Sequence, residues 1–178
     1  YPASLCVSIN DQVVHGIPSE NVILREGDIV SLDCGLILEG WQSDSAVTVG
    51  VGTIDPKSRQ LIDVTEESFF KGARQAINGN HLGDVGHAIQ AYAESFGYGV
   101  IRDLTGHGIG RNMHEDPSVP NYGIPGHGVK LRPGMTIAIE PMIAMGDYNV
   151  SQLEDGWTIV TDDGSLCSHY EHTIAINE

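Results

Sequence analysis

The chain has 178 residues, 40% of them hydrophobic and 19% charged, with a formal net charge of -15. That length suits one domain with a sizeable core, and the acidic balance excludes non-specific binding to DNA or to an anionic membrane surface. No apolar run approaches the ~20 residues of a membrane span, and the three cysteines, Cys6, Cys34 and Cys167, fit a reduced protein better than a disulfide scaffold.

In chain order, a short strand over Leu5 to Ile9 ends in an Asn10-Asp11 turn. Val13 to Pro18 follows as a strand that breaks at Gly16 and Pro18. Ile29 to Ile37 is rich in β-branched and aliphatic residues, Glu39-Gly40 offers a reversal, and Ala46 to Val51 supplies the returning strand. A helix is expected from about Ser58 to Ile77, stopped by Asn78-Gly79, and a second from about Asp84 to Phe96 with Gly97 beyond it. Val100-Ile101 leads as a short strand into Thr105-Gly106-His107-Gly108-Ile109-Gly110. After a loop rich in Pro and Gly come strands at Thr136 to Ile139, Trp157 to Val160 and His172 to Ile176. Helices with antiparallel strands point to an α+β fold, a sheet packed under helices. Nothing divides residues 1–178, so they read as a single catalytic domain.

The first hairpin carries two carboxylates, Asp33 and Asp44, eleven positions apart. A turn centred between Leu38 and Glu39 sets Asp33 opposite Asp44; a turn one residue later pairs Asp33 with Ala46. Side chains alternate along a strand, so both registers leave the aspartates on one face. Like charges that close need something positive between them, unless they lie at strand ends in water. A second copy decides against the solvent reading. Leu131-Arg132-Pro133-Gly134, followed by an aliphatic strand ending at Glu140, repeats Leu24-Arg25-Glu26-Gly27 and the strand ending at Asp33. Each copy follows a His-Gly pair, His15-Gly16 and His127-Gly128. Two related half-folds would place Asp33 and Glu140 equivalently about a shared centre.

Gly106-His107-Gly108-Ile109-Gly110 lacks the spacing of a dinucleotide fingerprint, and its histidine reads as a ring that must approach something closely. His114-Glu115-Asp116-Pro117 is no His-Glu-x-x-His helix, and no Gly-x-Ser-x-Gly elbow is present. Glu171, in Tyr170-Glu171-His172, completes a set of four carboxylates and one imidazole with Asp33, Asp44, Glu140 and His107. Oxygen-rich donors with a single nitrogen suit divalent ions, and two such ions resolve the crowding of negative groups.

These motifs, together with Val14-His15-Gly16-Ile17-Pro18, Ile139-Glu140-Pro141-Met142 and Asp155-Gly156-Trp157, give the chain its resemblance to the type I methionine aminopeptidase family. The resemblance runs over nearly the whole length. It implies the pita-bread fold, two pseudo-symmetric halves with a curved antiparallel sheet covered by helices, and additional sequence before Tyr1. Only 31 positions separate Glu140 from Glu171, which leaves no room for the helical insertion of type II relatives. The family implies metal ligation by Asp33, Asp44, His107, Glu140 and Glu171, holding two divalent ions (cobalt, manganese, iron or zinc). It further implies that Glu140 moves the proton, that His114 steadies the developing oxyanion and that His15 contacts the substrate amide. Tyr1, Cys6, Met113 and Trp157 are the implied walls of an apolar methionine pocket, while His81, His87 and His127 read as ordinary solvated or packing residues.

Met113 stands where many relatives carry an aromatic residue, and His169 where glutamine is common. The expected activity is removal of the initiator methionine from nascent polypeptides and peptides with a small second residue, by a cytoplasmic monomer in transient contact with the ribosome. The nearest rival is a proline-specific aminopeptidase or dipeptidase of the same fold. A metal-free binding module would have lost ligands that this chain keeps. An acidic calcium protein would need oxygen-only ligands in a local loop, which His107 argues against.

Overall fold

A computed structural model describes all of residues 1–178. The chain forms β1 (Cys6–Ile9), β2 (Gln12–Val14), β3 (Ile29–Asp33), β4 (Leu36–Leu38), β5 (Trp41–Ser43) and β6 (Ser45–Gly50), then helices α1 (Pro56–Ala73) and α2 (Leu82–Glu94). The rest is β7 (Gly99–Val100), β8 (Gly106–Gly108), β9 (Glu115–Val119), β10 (Thr136–Ile139), β11 (Met142–Ala144), β12 (Val150–Gln152), β13 (Ile159–Thr161), β14 (Cys167–His169) and β15 (Glu171–Ala175). No helix is long and apolar enough to cross a membrane.

Seven strands make one curved antiparallel sheet in the order β1-β3-β6-β15-β10-β8-β9. The halves meet between β6 and β15, so that β3 and β10, which carry the repeated motif, each lie one strand from the centre. Their entry turns are alike. Gly27 and Gly134 have φ of 98° and 88°, a region that glycine occupies without a Cβ penalty. In each, the residue after the glycine donates to the arginine carbonyl: Asp28 N–H to Arg25 at 3.1 Å and Met135 N–H to Arg132 at 3.2 Å.

Helices α1 and α2 cover the second half and reach the first, where Leu61, Ile62 and Val64 of α1 pack with Ile29 of β3. Phe69 of α1 and Leu82, Val85 and Ile89 of α2 pack on Ile137 and Ile139 of β10, Val119 of β9 and Ile176. Each fully buried aliphatic side chain of this kind contributes about 1.5–3 kcal/mol. Helix α1 begins two residues before the expected Ser58. The Asp55 carboxylate accepts from the Lys57 N–H at 2.8 Å, and Pro56 takes the first turn, where its missing N–H costs nothing. It also ends earlier than Ile77: Gln75 and Ala76 close a tighter turn onto the carbonyls of Gly72 and Ala73, and Ile77 is exposed. Helix α2 starts at Leu82, where the Asp84 carboxylate accepts the His81 N–H at 2.7 Å. It ends at Glu94, and Phe96 lies on the surface instead of the buried face.

The first hairpin is in two pieces. Cys34 and Gly35 interrupt the expected single strand, so β3 pairs β6 in the main sheet while β4 and β5 form a separate ribbon around Glu39-Gly40, both at positive φ. The register is the later of the two alternatives, with Asp33 opposite Ala46. Strands β9, β11, β12 and β14 lie in stretches with no clear strand signature. β9 contains Pro117, which the outer position of an edge strand tolerates.

Candidate active site

The sheet assembles the acidic centre by register alone. Ala46 of β6 faces Asp33 of β3 on one side and Glu171 of β15 on the other. The β10–β15 pairing of Ile139 with His172, continued one step, brings Glu140 beside Glu171. Asp44 lies two residues before Ala46, on the same face, and its N–H is held by the Thr173 hydroxyl at 2.9 Å. His107 of β8 pairs with Ala138, two residues before Glu140. Five donors from five strands or strand ends thus share one concave face.

The glycines around His107 have a backbone reason. A Cβ on Gly106 would come within 2.3 Å of the Ala138 carbonyl, and one on Gly108 within 2.2 Å of the Asp116 carbonyl. They let β8 pass closely between β10 and β9, which differs from the expectation of a close approach by the ring itself. His107 Nδ1 donates to the Gly108 carbonyl at 2.8 Å, so the Nε2 lone pair faces inward. Nε2 lies 3.5 Å from Glu140 Oε1 and 4.0 Å from Asp44 Oδ2. Burial holds the His107 pKa below the ordinary histidine value, so these contacts are not ion pairs.

No protein cation balances the carboxylates. Burial first, then Asp44, raises Asp33 to about 7. Burial, then Glu140 and the aspartates, raises Glu171 to about 11, and burial with both aspartates raises Glu140 as well. Glu171 Oε1 is buried without a hydrogen-bond partner. Donor atoms of Asp44, His107 and Glu171 all lie within 4.8 Å of one another. An orphaned carboxylate oxygen among hard oxygens and one imidazole nitrogen fits a divalent metal ion.

The remaining expected residues line this centre. His15 follows β2 in a left-handed conformation (φ 60°) that a non-glycine residue adopts only when its surroundings enforce it. The Gly16 N–H beside it donates to the Ser8 hydroxyl at 3.0 Å. The His114 ring lies 4.3 Å from that of His107. Both His15 and His114 line two adjoining cavities. One, about 580 Å³, includes Tyr1, Cys6, Met113 and Trp157 beside Asp33 and Asp44. The other, about 340 Å³, includes His107, Glu140, Thr105, Ser118 and Met142. Trp157 meets the Tyr1 ring edge-on at 5.5 Å, and the Tyr1 hydroxyl donates to the Gly16 carbonyl at 2.6 Å. Burial, then Asp33, pushes the Cys6 thiol up to about 12. His81 caps α2, His87 is exposed, and His127 Nδ1 meets the Pro125 carbonyl; none reaches the centre.

Two neighbours of Glu140 escape a reading by motif. Asn121, fully buried, donates its amide to the Glu140 carbonyl at 3.0 Å, yet in sequence it is only part of a turn after Pro120. His169 Nε2 stands 3.7 Å from Glu140 Oε2, where the family resemblance implied only a departure from glutamine. Burial drives the His169 pKa down to about 3, which keeps the ring neutral.

The signature described as metallopeptidase family M24 matches residues 1–178. The chain belongs to metallopeptidase family M24. Within M24 it is 58% identical over 176 residues to the methionine aminopeptidase of Clostridium acetobutylicum, covering 99% of this chain and 70% of that protein. It is 49% identical to methionine aminopeptidase 1 of Bacillus subtilis, covering the whole chain and 71% of the relative. The crystal structure of the Thermotoga maritima methionine aminopeptidase superimposes with a TM-score of 0.96 at 53% identity, over 98% of this chain and 70% of that one. A prolidase from Pyrococcus horikoshii follows at TM-score 0.76 and 25% identity, over 98% of this chain and 45% of the other. The pita-bread fold of this M24 chain is therefore established, and its resemblance is to the methionine aminopeptidases before the prolidases.

Proposed function

We propose that this chain hydrolyses the peptide bond after an N-terminal methionine, using two divalent ions held by Asp33, Asp44, His107, Glu140 and Glu171. The observation that carries the reading is the gathering of four carboxylates and one inward-facing imidazole in a cleft of a protein up to 58% identical to methionine aminopeptidases. The donor set extends beyond the Asp44, His107 and Glu171 group to Asp33 on one side and Glu140 on the other, more donors than one ion requires. Iron, manganese, cobalt and zinc all suit such a set. When bound, these ions make a water acidic enough to attack at neutral pH and polarise the scissile carbonyl.

The protein's own groups divide the remaining work. Glu140 takes the proton of the attacking water and returns it to the departing amine. The scissile bond lies where the two cavities join, between His15 and His114. There His114 donates to the oxyanion and His15 orients the substrate amide. The methionine side chain enters the larger cavity, where Met113, whose thioether methyl lies over Gly35, and Trp157 give it apolar walls. The natural substrates are then nascent polypeptides and peptides beginning with methionine. Three free cysteines suit the reducing cytoplasm in which such chains emerge.

The test is hydrolysis of a Met-Ala-Ser peptide against an Ala-Pro peptide, before and after chelation. Cleavage of the first alone, abolished by chelator and restored by a divalent metal, is expected. Faster release from the Ala-Pro peptide would move the chain to the prolidases, and turnover indifferent to chelator would remove the metal role.

A further inference from the structure

We propose that His169 is a positioning residue for Glu140: its Nε2–H holds carboxylate oxygen Oε2, leaving Oε1 turned toward His107 and the centre. Two neighbouring chain segments change sheets at the same level. Glu140 and Pro141 carry the chain from β10 to β11, and Tyr170 carries it from β14 to β15. The two crossings touch through the Tyr170 N–H and the Pro141 carbonyl at 3.2 Å. Glu140 therefore lies between Glu171 at the start of β15 and His169 at the end of β14. Tyr170 is turned away, its ring against Phe69 and Phe70.

The main chain of His169 is clamped. Its N–H donates to Thr48 Oγ1 at 2.9 Å, and the same hydroxyl donates to the His169 carbonyl at 2.8 Å. That uses the one hydrogen of Thr48, so the Ser31 hydroxyl, 2.8 Å away, must donate to Thr48. A buried polar relay from β3 through β6 thus ties β14 to the main sheet. It is fully satisfied, whereas the ring it holds is not. His169 is 1% exposed, and neither ring nitrogen has a hydrogen-bond partner. A buried donor left unmade is costly, and Glu140 Oε2, 3.7 Å from Nε2, is within reach of a small side-chain rotation. Oε1 lies on the His107 side, 3.5 Å from the Nε2 lone pair, which holds nothing on that oxygen, so the hydrogen bond from His169 to Oε2 is what sets the carboxylate plane. A group that must accept and return a proton gains from being held in one orientation.

The kinetic arm rests on the proposed peptidase reading; a second arm does not. His169→Leu removes the donor at similar volume, and His169→Gln restores an N–H donor. Outer-partner losses cost about 10–100-fold, and the expectation for His169→Leu is a kcat fall in that range on Met-Ala-Ser, with KM within about threefold and most of kcat recovered in His169→Gln. In the metal-free protein, the His169 ring ¹⁵N signals should report a proton on Nε2 and move on Glu140→Gln. Unchanged kcat in His169→Leu, an equal loss in His169→Gln, or ring signals indifferent to Glu140→Gln would each overturn the assignment. An inactive parent chain would instead count against the peptidase reading, and the ring signals would still decide this one.

Discussion

Strands β3 and β10 are built alike and end differently. Each enters from a Leu-Arg-x-Gly turn, and the glycine N–H donates to a strand one place nearer the centre, Gly27 to Val51 and Gly134 to Ile176, both at 3.0 Å. Each closes on a carboxylate. Asp33 stays within the main sheet between Cys6 and Ala46, with Asp44 against it. Glu140 lies where the chain leaves the sheet, between the imidazoles of His107 and His169. The outer faces part only in degree: Ile137 and Ile139 of β10 are sealed under the helices, and of their counterparts on β3 Val30 is buried while Leu32 is half-buried, beside Val47 and Val49 of β6 at 37% and 44% exposed. A repeated backbone unit sets where a carboxylate stands; neighbours that are not repeated set what it can do.

The strongest way to test that contrast is to neutralise Glu140. Glu140→Gln should lower kcat on Met-Ala-Ser by about 10²–10⁴-fold, the usual worth of a positioned acid–base group, and a loss under about tenfold would strip Glu140 of its role. His107→Ala should weaken metal binding by more than the ~10–100-fold that an outer partner costs, with the fold kept. Full metal occupancy by elemental analysis would contradict it.

Next in size is the pH dependence of the metal-free protein. Asp33 is raised to about 7 and Glu171 to about 11, so the fold retains protons that the unfolded chain has already lost. Where the folded state binds more protons, stability falls as pH rises, here from the ordinary carboxylate range upward through pH 7. Below the ordinary histidine range this slope is opposed by His107 and His169, which the fold keeps neutral, so the melting temperature with chelator should drop most clearly between pH 7 and pH 9. Saturating divalent metal, which needs the ligands deprotonated, should reverse that slope. A metal-free protein as stable at pH 9 as at pH 7 would contradict the crowded-carboxylate account.

Smaller effects test the likeness of the halves. Gly27→Ala and Gly134→Ala both place a Cβ at positive φ in open space, so each should cost about 1–2 kcal/mol by denaturant unfolding, nearly the same in both. A large disparity would mean the two turns are not equivalent. Smallest is Arg111→Ala. Its guanidinium lies 3.9 Å from the Trp41 ring centre on the β4–β5 ribbon, worth about 0.5–1 kcal/mol at an exposed site. The change should register in Trp41 fluorescence more than in stability.

Residue types and spacing alone marked Asp33, Asp44, His107, Glu140 and Glu171 as candidate donors, and determined the doubled motif, the two helices and the α+β class. Strand alternation has a period of two, so it could place Asp33 and Asp44 on one face; it could not choose between two registers that both satisfy it. The tertiary structure chose, placing Ala46 between Asp33 and Glu171. Three-residue strands such as β11 and β14 carry too little pattern to be seen locally, and they exist because neighbouring strands supply their hydrogen bonds. For the same reason the meeting of His169 with Glu140 belongs to the fold: it arises where two segments 29 residues apart change sheets side by side, and no local periodicity encodes such a crossing.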